Sequence, residues 1–177
     1  PSVVDTNDRG FINVYLDKPI SEHWDIRADI TYNSITNDHT DVYAVLDLAT
    51  YNIIYEATLH GTYAKWTYLV GSSINTLNAN DKINSRKTDT QWNNLYAQAT
   101  FQAFENLNVV VGLQLNQTDN DDNDLSSRLG LVYHFSPRVG AKLLYSEAFR
   151  SPNWTETQTF IPGVFVGNPS VEPETIN

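Results

Sequence analysis

Trp24-Asp25-Ile26-Arg27-Ala28-Asp29-Ile30-Thr31-Tyr32-Asn33-Ser34 decides the fold class. The even positions from 24 to 32 are apolar, and the odd positions between them are charged or polar. Successive side chains of a strand point to opposite faces, so a period of two predicts one strand with two different environments. The same alternation returns with Leu95, Ala97, Ala99 and Phe101, with the odd positions from Leu107 to Leu115, with Leu129, Leu131, Tyr133 and Phe135, and with Val139, Ala141, Leu143 and Tyr145. Weaker versions occupy residues 10–18, 51–60 and 65–75. Residues 41–48 either add a short ninth strand or extend the strand after them. No window keeps apolar residues at helical spacing, so the chain reads as all-β with about eight strands.

Composition narrows the class further. The chain has 177 residues, and 11 Lys and Arg stand against 21 Asp and Glu for a net charge of −10. Nucleic-acid binders carry a basic patch instead, so no nucleic-acid partner is expected. The absence of Cys removes disulfide frameworks, thiolate metal sites and thiol nucleophiles. Met is absent too, also at position 1, which suggests a processed product or a piece of a longer chain. No stretch reaches the ~20 apolar residues of a membrane-spanning helix. A mean hydropathy of −0.38 reads as soluble, but alternating strands of a membrane β-barrel average out to polar in the same way.

Connector lengths point toward that barrel. Short ones at residues 19–23, 61–64, 105–106 and 136–138 alternate with long ones at 35–50, 76–90 and 118–126 and after Phe149. Tight turns at one end and long polar loops at the other are the pattern of outer-membrane barrels, and strands of about 9–11 residues cross a bilayer at a tilt. Trp24, Tyr32, Trp66, Tyr68, Phe101, Tyr133, Phe135 and Tyr145 sit toward strand ends on the apolar face, where an apolar ring with a polar tip suits a headgroup boundary. A soluble β-sandwich or small barrel, used for binding or adhesion, would bury the same residues in a core. Alternation alone does not separate the two.

Two stretches near the carboxyl end carry a family signal. The first is Phe149-Arg150-Ser151-Pro152-Asn153-Trp154-Thr155-Glu156; the second is Gly167-Asn168-Pro169-Ser170-Val171-Glu172-Pro173-Glu174. Together they resemble the TonB-dependent outer-membrane receptors, in which a Phe-Arg-x-Pro-x-x-x-Glu strand end precedes a Gly-Asn-Pro-x-Leu-x-Pro-Glu stretch. Val171 stands where Leu is usual, and Glu172 reverses the charge of the usual Lys. Asn94-Leu95-Tyr96-Ala97-Gln98 and Ser127-Arg128-Leu129-Gly130-Leu131-Val132-Tyr133 also resemble strands of that family. The resemblance implies an antiparallel transmembrane β-barrel of about 22 strands. Residues 1–177 would then be part of its wall, and the plug domain through which TonB acts would lie outside this chain. Closure of eight strands on themselves stays open as an alternative.

The resemblance also implies a function: TonB-energised uptake of a ferric siderophore, with outer-membrane lipid around the barrel. Haem or cobalamin uptake is the alternative within the family. Trp92, Trp154 and Arg128 are the candidate ligand contacts, and Phe149, Arg150, Pro152, Glu156, Gly167, Asn168, Pro169, Pro173 and Glu174 are the motif residues. Arg150 and Glu156 are expected to pair and pin a loop. The prolines read as turn chemistry. Asp119, Asp121, Asp122 and Asp124 suggest calcium, but Asp124 occupies the Gly position of an EF-hand loop and Gly130 the place of its bidentate Glu. His23, His39, His60 and His134 lack metal-ligand spacing, and no His lies between residues 151 and 167, where some haem receptors carry one. No cofactor is expected, and no catalytic motif is present.

Overall fold

A computed structural model describes residues 4–40, 45–83, 85–118, 123–150, 152, 156–157, 160–161, 165–172 and 174–176. Eight strands form one antiparallel meander in chain order: β1 (Val4–Ser21), β2 (Trp24–Thr40), β3 (Val45–Tyr63), β4 (Trp66–Asp81), β5 (Arg86–Phe104), β6 (Leu107–Thr118), β7 (Asp124–Ser136) and β8 (Val139–Ser146). Each strand pairs only with its chain neighbours, and β1 and β8 remain the two edges of the sheet. The eight strands therefore do not close on one another. Four short strands follow: β9 (Ala148–Arg150), β10 (Phe160–Ile161), β11 (Phe165–Val166) and β12 (Glu174–Ile176), with β10 pairing β11 and β12 pairing β9.

Strand length departs from expectation. β3 and β5 have 19 residues each and β2 has 17, against the 9–11 anticipated. The long polar connectors at residues 35–50 and 76–90 are mostly strand, and only 41–44, 82–85 and 119–123 separate the long-loop ends. Val45 to Leu48 extend β3 rather than forming a ninth strand. The physical reason is that pairing depends on backbone groups. Asn37 meets Leu48, and Leu48 meets Asp81, in unbroken register although no apolar pattern marks them. Where both faces meet water, alternation vanishes while the ladder continues.

The register puts most of the apolar residues on one face, although Phe11, Ile54, Leu69, Leu77 and Leu144 fall on the other. Ile26, Leu59, Val70, Ala97 and Leu113 stand in one cross-strand row; Arg27, Thr58, Gly71, Tyr96 and Gln114 stand in another on the opposite face. A hollow of about 360 Å³ opens on the polar side, which is the concave one. The apolar side is not packed. Leu143 is 70% exposed, Leu113 52% and Val111 50%, whereas Ala79 is the one fully buried hydrophobic residue among those described. Among the described residues no second sheet covers these side chains, so the soluble sandwich with a dry centre is not what they form.

Aromatic rings mark the tight-turn end of the apolar face. Trp24 stacks on Tyr68 at 6.0 Å between centroids, Tyr68 on Trp66 at 5.8 Å, and Trp66 on Phe101 at 4.5 Å. Such pairs add roughly 0.5–1.5 kcal/mol each beyond area burial. The row crosses β3 at Gly61, where any Cβ would collide with the Trp24 ring. Further along, Tyr133 meets Phe135 edge-on at 4.8 Å. Toward the other end Tyr32 leans on Tyr51 at 6.5 Å. Trp24 and Tyr32 lie eight residues apart on β2, about 26 Å of strand, or ~20 Å in height at a barrel's usual tilt.

The tight-turn end also collects the irregularities. Ladder shifts occur at Pro19/Ser21, Gln102/Phe104 and His134/Ser136, which re-aim strands into their turns. The β3–β4 turn holds Ala64 at φ 52°, a left-handed conformation that costs a residue with a Cβ about 1–2 kcal/mol.

Candidate functional site

The concave wall is mainly polar because it inherits the more polar phase of the strands. Arg27 donates to Asp29 at 2.7 and 2.9 Å, reaches Asp17 at 3.6 Å, and lies 4.4 Å from the centre of the Tyr15 ring. The Tyr96 hydroxyl donates to Glu56 two strands away, and the ring lies flat over Gly71, where a Cβ would not fit. His60 faces Asp25 at 3.3 Å. Gln98, Gln114 and Arg128 border the hollow, with Gly112 at its floor. A Cβ at Gly112 would find only ordinary contacts, the nearest at 3.5 Å, so glycine here leaves open space rather than permitting close packing. Arg128 points a guanidinium into that space, 3.5 Å from the Gln98 amide oxygen.

Trp92 stands higher on the same wall, directly opposite Asn75 and Thr118. Beside it, Asn33 Nδ2 donates to Asn52 Oδ1 at 2.9 Å, and Asn52 Nδ2 donates to Asn75 Oδ1 at 3.2 Å. Asn94 Nδ2 donates to Ser73 Oγ at 3.0 Å just below. Arg128 and Trp92 therefore share a face but occupy different levels of it. Trp154, the third candidate contact, lies outside the described residues.

The two carboxyl-terminal stretches meet at the long-loop rim. β12 pairs with β9, aligning Glu174 with Arg150 and Thr175 with Phe149. Arg150 Nη1 donates to both carboxylate oxygens of Glu156, at 3.0 and 2.9 Å, and Nε donates to Glu174 at 3.2 Å. These two carboxylates raise the pKa of the guanidinium above its ordinary value. Asn168 N–H donates to the Glu156 carbonyl at 2.8 Å, and Asn168 Oδ1 accepts from the Ser170 N–H at 2.9 Å, forming the turn around Pro169. Gly167 and Pro152 are half-buried beside this strap; Pro173 lies outside the described residues. Sequence spacing brings Arg150 to Glu156, whereas only the β9–β12 register reveals Glu174.

Glu147 was missed by sequence reasoning. It sits between β8 and β9 and accepts from Ser127 N–H and Ser127 Oγ, each at 2.8 Å, and from the Tyr145 hydroxyl at 2.9 Å. Those donors hold its carboxyl below the usual range, the Ser127 hydroxyl most of all. Across the wall, Lys82 pairs with Asp47 at 2.8 Å, and that partner raises the ammonium pKa. Asp119, Asp121 and Asp122 lie outside the described residues; Asp124 accepts from Ser126 at 2.8 Å and Asn116 at 3.4 Å. Among the described residues no group of three or more His, Asp or Glu is placed to hold a metal ion.

The profile of the family described as "TonB dependent receptor-like, beta-barrel" matches residues 2–177. No curated protein matches the sequence. Among solved structures, a variant of the ferric enterobactin receptor PfeA from Pseudomonas aeruginosa superimposes with a TM-score of 0.77 at 13% identity, over 86% of this chain and 26% of that one. The copper transporter OprC gives 0.70 at 12% identity, over 98% of this chain and 35% of that one. The siderophore receptor PirA of Pseudomonas aeruginosa gives 0.57 at 16% identity, over 98% and 50%. At these identities the likeness is one of fold, and the chain spans between about a quarter and a half of those proteins.

Proposed function

This chain belongs to the TonB-dependent receptor-like β-barrel family, and from that premise we propose that it supplies wall and rim to an outer-membrane receptor taking up a ferric siderophore. The observation that carries this reading is the division of one sheet into two faces. Leu143, Leu113 and Val111 stand uncovered on the convex side, while Arg27, Gln98, Gln114, Arg128 and Lys142 occupy the polar phase of the concave side. A bilayer rewards the first and a water-filled conduit the second. In this orientation the stacked Trp24–Tyr68–Trp66–Phe101 row lies at the periplasmic boundary, and the Arg150 strap lies outside the cell.

The free ladder edges of β1 and β8 belong to the same reading. Unpaired backbone groups in hydrocarbon cost several kcal/mol each, so both edges call for further strands of a larger barrel. Energy from TonB would enter through a plug domain outside this chain. Siderophore cargo is supported by PfeA and PirA, whose own descriptions name such ligands. The test has two arms. Refolded into lipid vesicles, the full-length receptor containing this chain should migrate on gels in a heat-modifiable form; a folded, monodisperse species in detergent-free buffer would overturn the membrane reading. In iron-limited cells offered ferric catecholates, ferric hydroxamates, haem and cobalamin in turn, deletion should abolish uptake of one of the two ferric chelates. Loss of haem or cobalamin uptake alone, or of none, would overturn the siderophore reading.

A further inference from the structure

We infer that β9 and β12 form a strap hinged at Glu147, with a second resting place zipped onto the upper edge of β7. Such a strap needs no particular cargo, and its movement stands apart from the receptor reading. The β7–β8 ladder runs as far as Arg128 opposite Ser146, and from Ala148 onward the chain pairs with β12 instead. Glu147 is the point of departure, and its bonds show how the ladder ends. Its backbone N–H donates to the Ser127 carbonyl at 2.9 Å. An ordinary antiparallel pair would return a second bond, from the Ser127 N–H to the Glu147 carbonyl. Here the Glu147 carboxylate takes that N–H at 2.8 Å, together with the Ser127 hydroxyl at 2.8 Å and the Tyr145 hydroxyl at 2.9 Å. The side chain stands in for its own carbonyl, and the strand parts from β7 there.

The residues on both sides of the parting fit a ladder that goes on. Carried past Ser146 in the same register, Ser126 would face Ala148, Leu125 would face Phe149, and Asp124 would face Arg150. The second is an apolar pair and the third an ion pair, both of which stabilise adjacent strands. In the splayed arrangement neither is made. Leu125 is 61% exposed, Asp124 accepts from Ser126 and Asn116, and Arg150 serves Glu156 and Glu174. β9 uses one edge for β12, which leaves its opposite edge for β7. Glu174 lies across from Arg150 on β12, so the strap moves as a unit, and Arg150 trades only Glu156 for Asp124. One carboxylate replaces another there, and at Ser127 a backbone acceptor replaces a side-chain one. Near balance of that kind is what a two-state element requires. Ser126, Ser127 and Glu147 all border the hollow, so the movement changes its rim.

Disulfide trapping tests this in the full-length receptor containing this chain, held in isolated outer membranes. The chain has no Cys of its own to interfere. Ser126→Cys with Ala148→Cys reports the zipped register. Ser126→Cys with Phe149→Cys would put the two thiols on opposite faces of that ladder and reports undirected motion. Under mild oxidant the first pair should bridge about fivefold faster than the second. Glu147→Ala, which leaves Ser127 to a backbone acceptor, should speed the first pair by about fivefold again. Asp124→Ala should cancel that gain, and Glu147→Gln, which keeps an acceptor, should fall between parent and Glu147→Ala. Should Glu147→Ala fail to reach the heat-modifiable folded form, Ser127→Ala with Tyr145→Phe weakens the same latch and carries the same expectation. Equal bridging by the two Cys pairs overturns the inference, as does a rate that loosening the latch leaves unchanged.

Discussion

At the scale of single residues, glycines and a carboxylate do work that their size conceals. Gly61 lets the Trp24 ring cross β3 to reach Tyr68. Gly61→Ala should therefore displace the ring and destabilise the folded protein by about 1–3 kcal/mol, measured by urea unfolding in micelles. The same substitution in a Trp24→Leu background should cost much less, because the collision partner is gone. Glu147 makes a pH prediction. Its folded-state pKa is depressed by the Ser127 and Tyr145 donors, so its contribution is present above the ordinary Glu value, ~4.3, and is lost as pH falls through the lower folded value. Protection of the Ser127 amide against hydrogen exchange, corrected for intrinsic rates, should fall over that acid range. Glu147→Gln should remove the pH dependence. Neither role is visible in the sequence, since Gly61 and Trp24 are opposed only by strand register.

At the scale of elements, the turns and the strap are separable. Ala64→Asn should stabilise the β3–β4 turn by roughly 1 kcal/mol, since Asn tolerates the left-handed region that Ala64 occupies; the shift in urea midpoint measures it. Arg150→Met should release Glu156 and Glu174 together, and exchange at Ala148 and Ile176 should quicken several-fold while β3–β4 amides are unaffected. The strands themselves were legible wherever one face is greasy and the other wet: Ile26 through Tyr32 and Val109 through Leu115 declare their period outright. Residues 35–40 and 76–81 do not, because polar Thr36, Asp38 and Asn78 stand on the outer phase there. Their pairing is held by backbone bonds that carry no side-chain signature.

At the scale of the whole molecule, the two faces should respond oppositely to charge. Val111→Arg, on the convex side, should cost ~2–4 kcal/mol near a bilayer midplane and lower the folded fraction in vesicles. Gln114→Arg, three residues on and facing inward, should fold as the parent does. The division of faces was readable from alternation, but which face is left uncovered was not, because period two names no solvent; the exposed Leu143 and the hollow beside Arg128 show it. Trp92 could be placed on the inner phase from sequence, yet its asparagine neighbours come from three other strands. The long ladder of β3 and β5 has one more consequence. Two 19-residue ribbons, about 63 Å end to end, carry ordered backbone well past the tyrosines, like a palisade around a gate. In the receptor we propose, cargo arriving there would meet a stiff, pre-shaped throat and would surrender little chain entropy on entry. Selection by shape would then begin above the bilayer, before any mobile part had to respond.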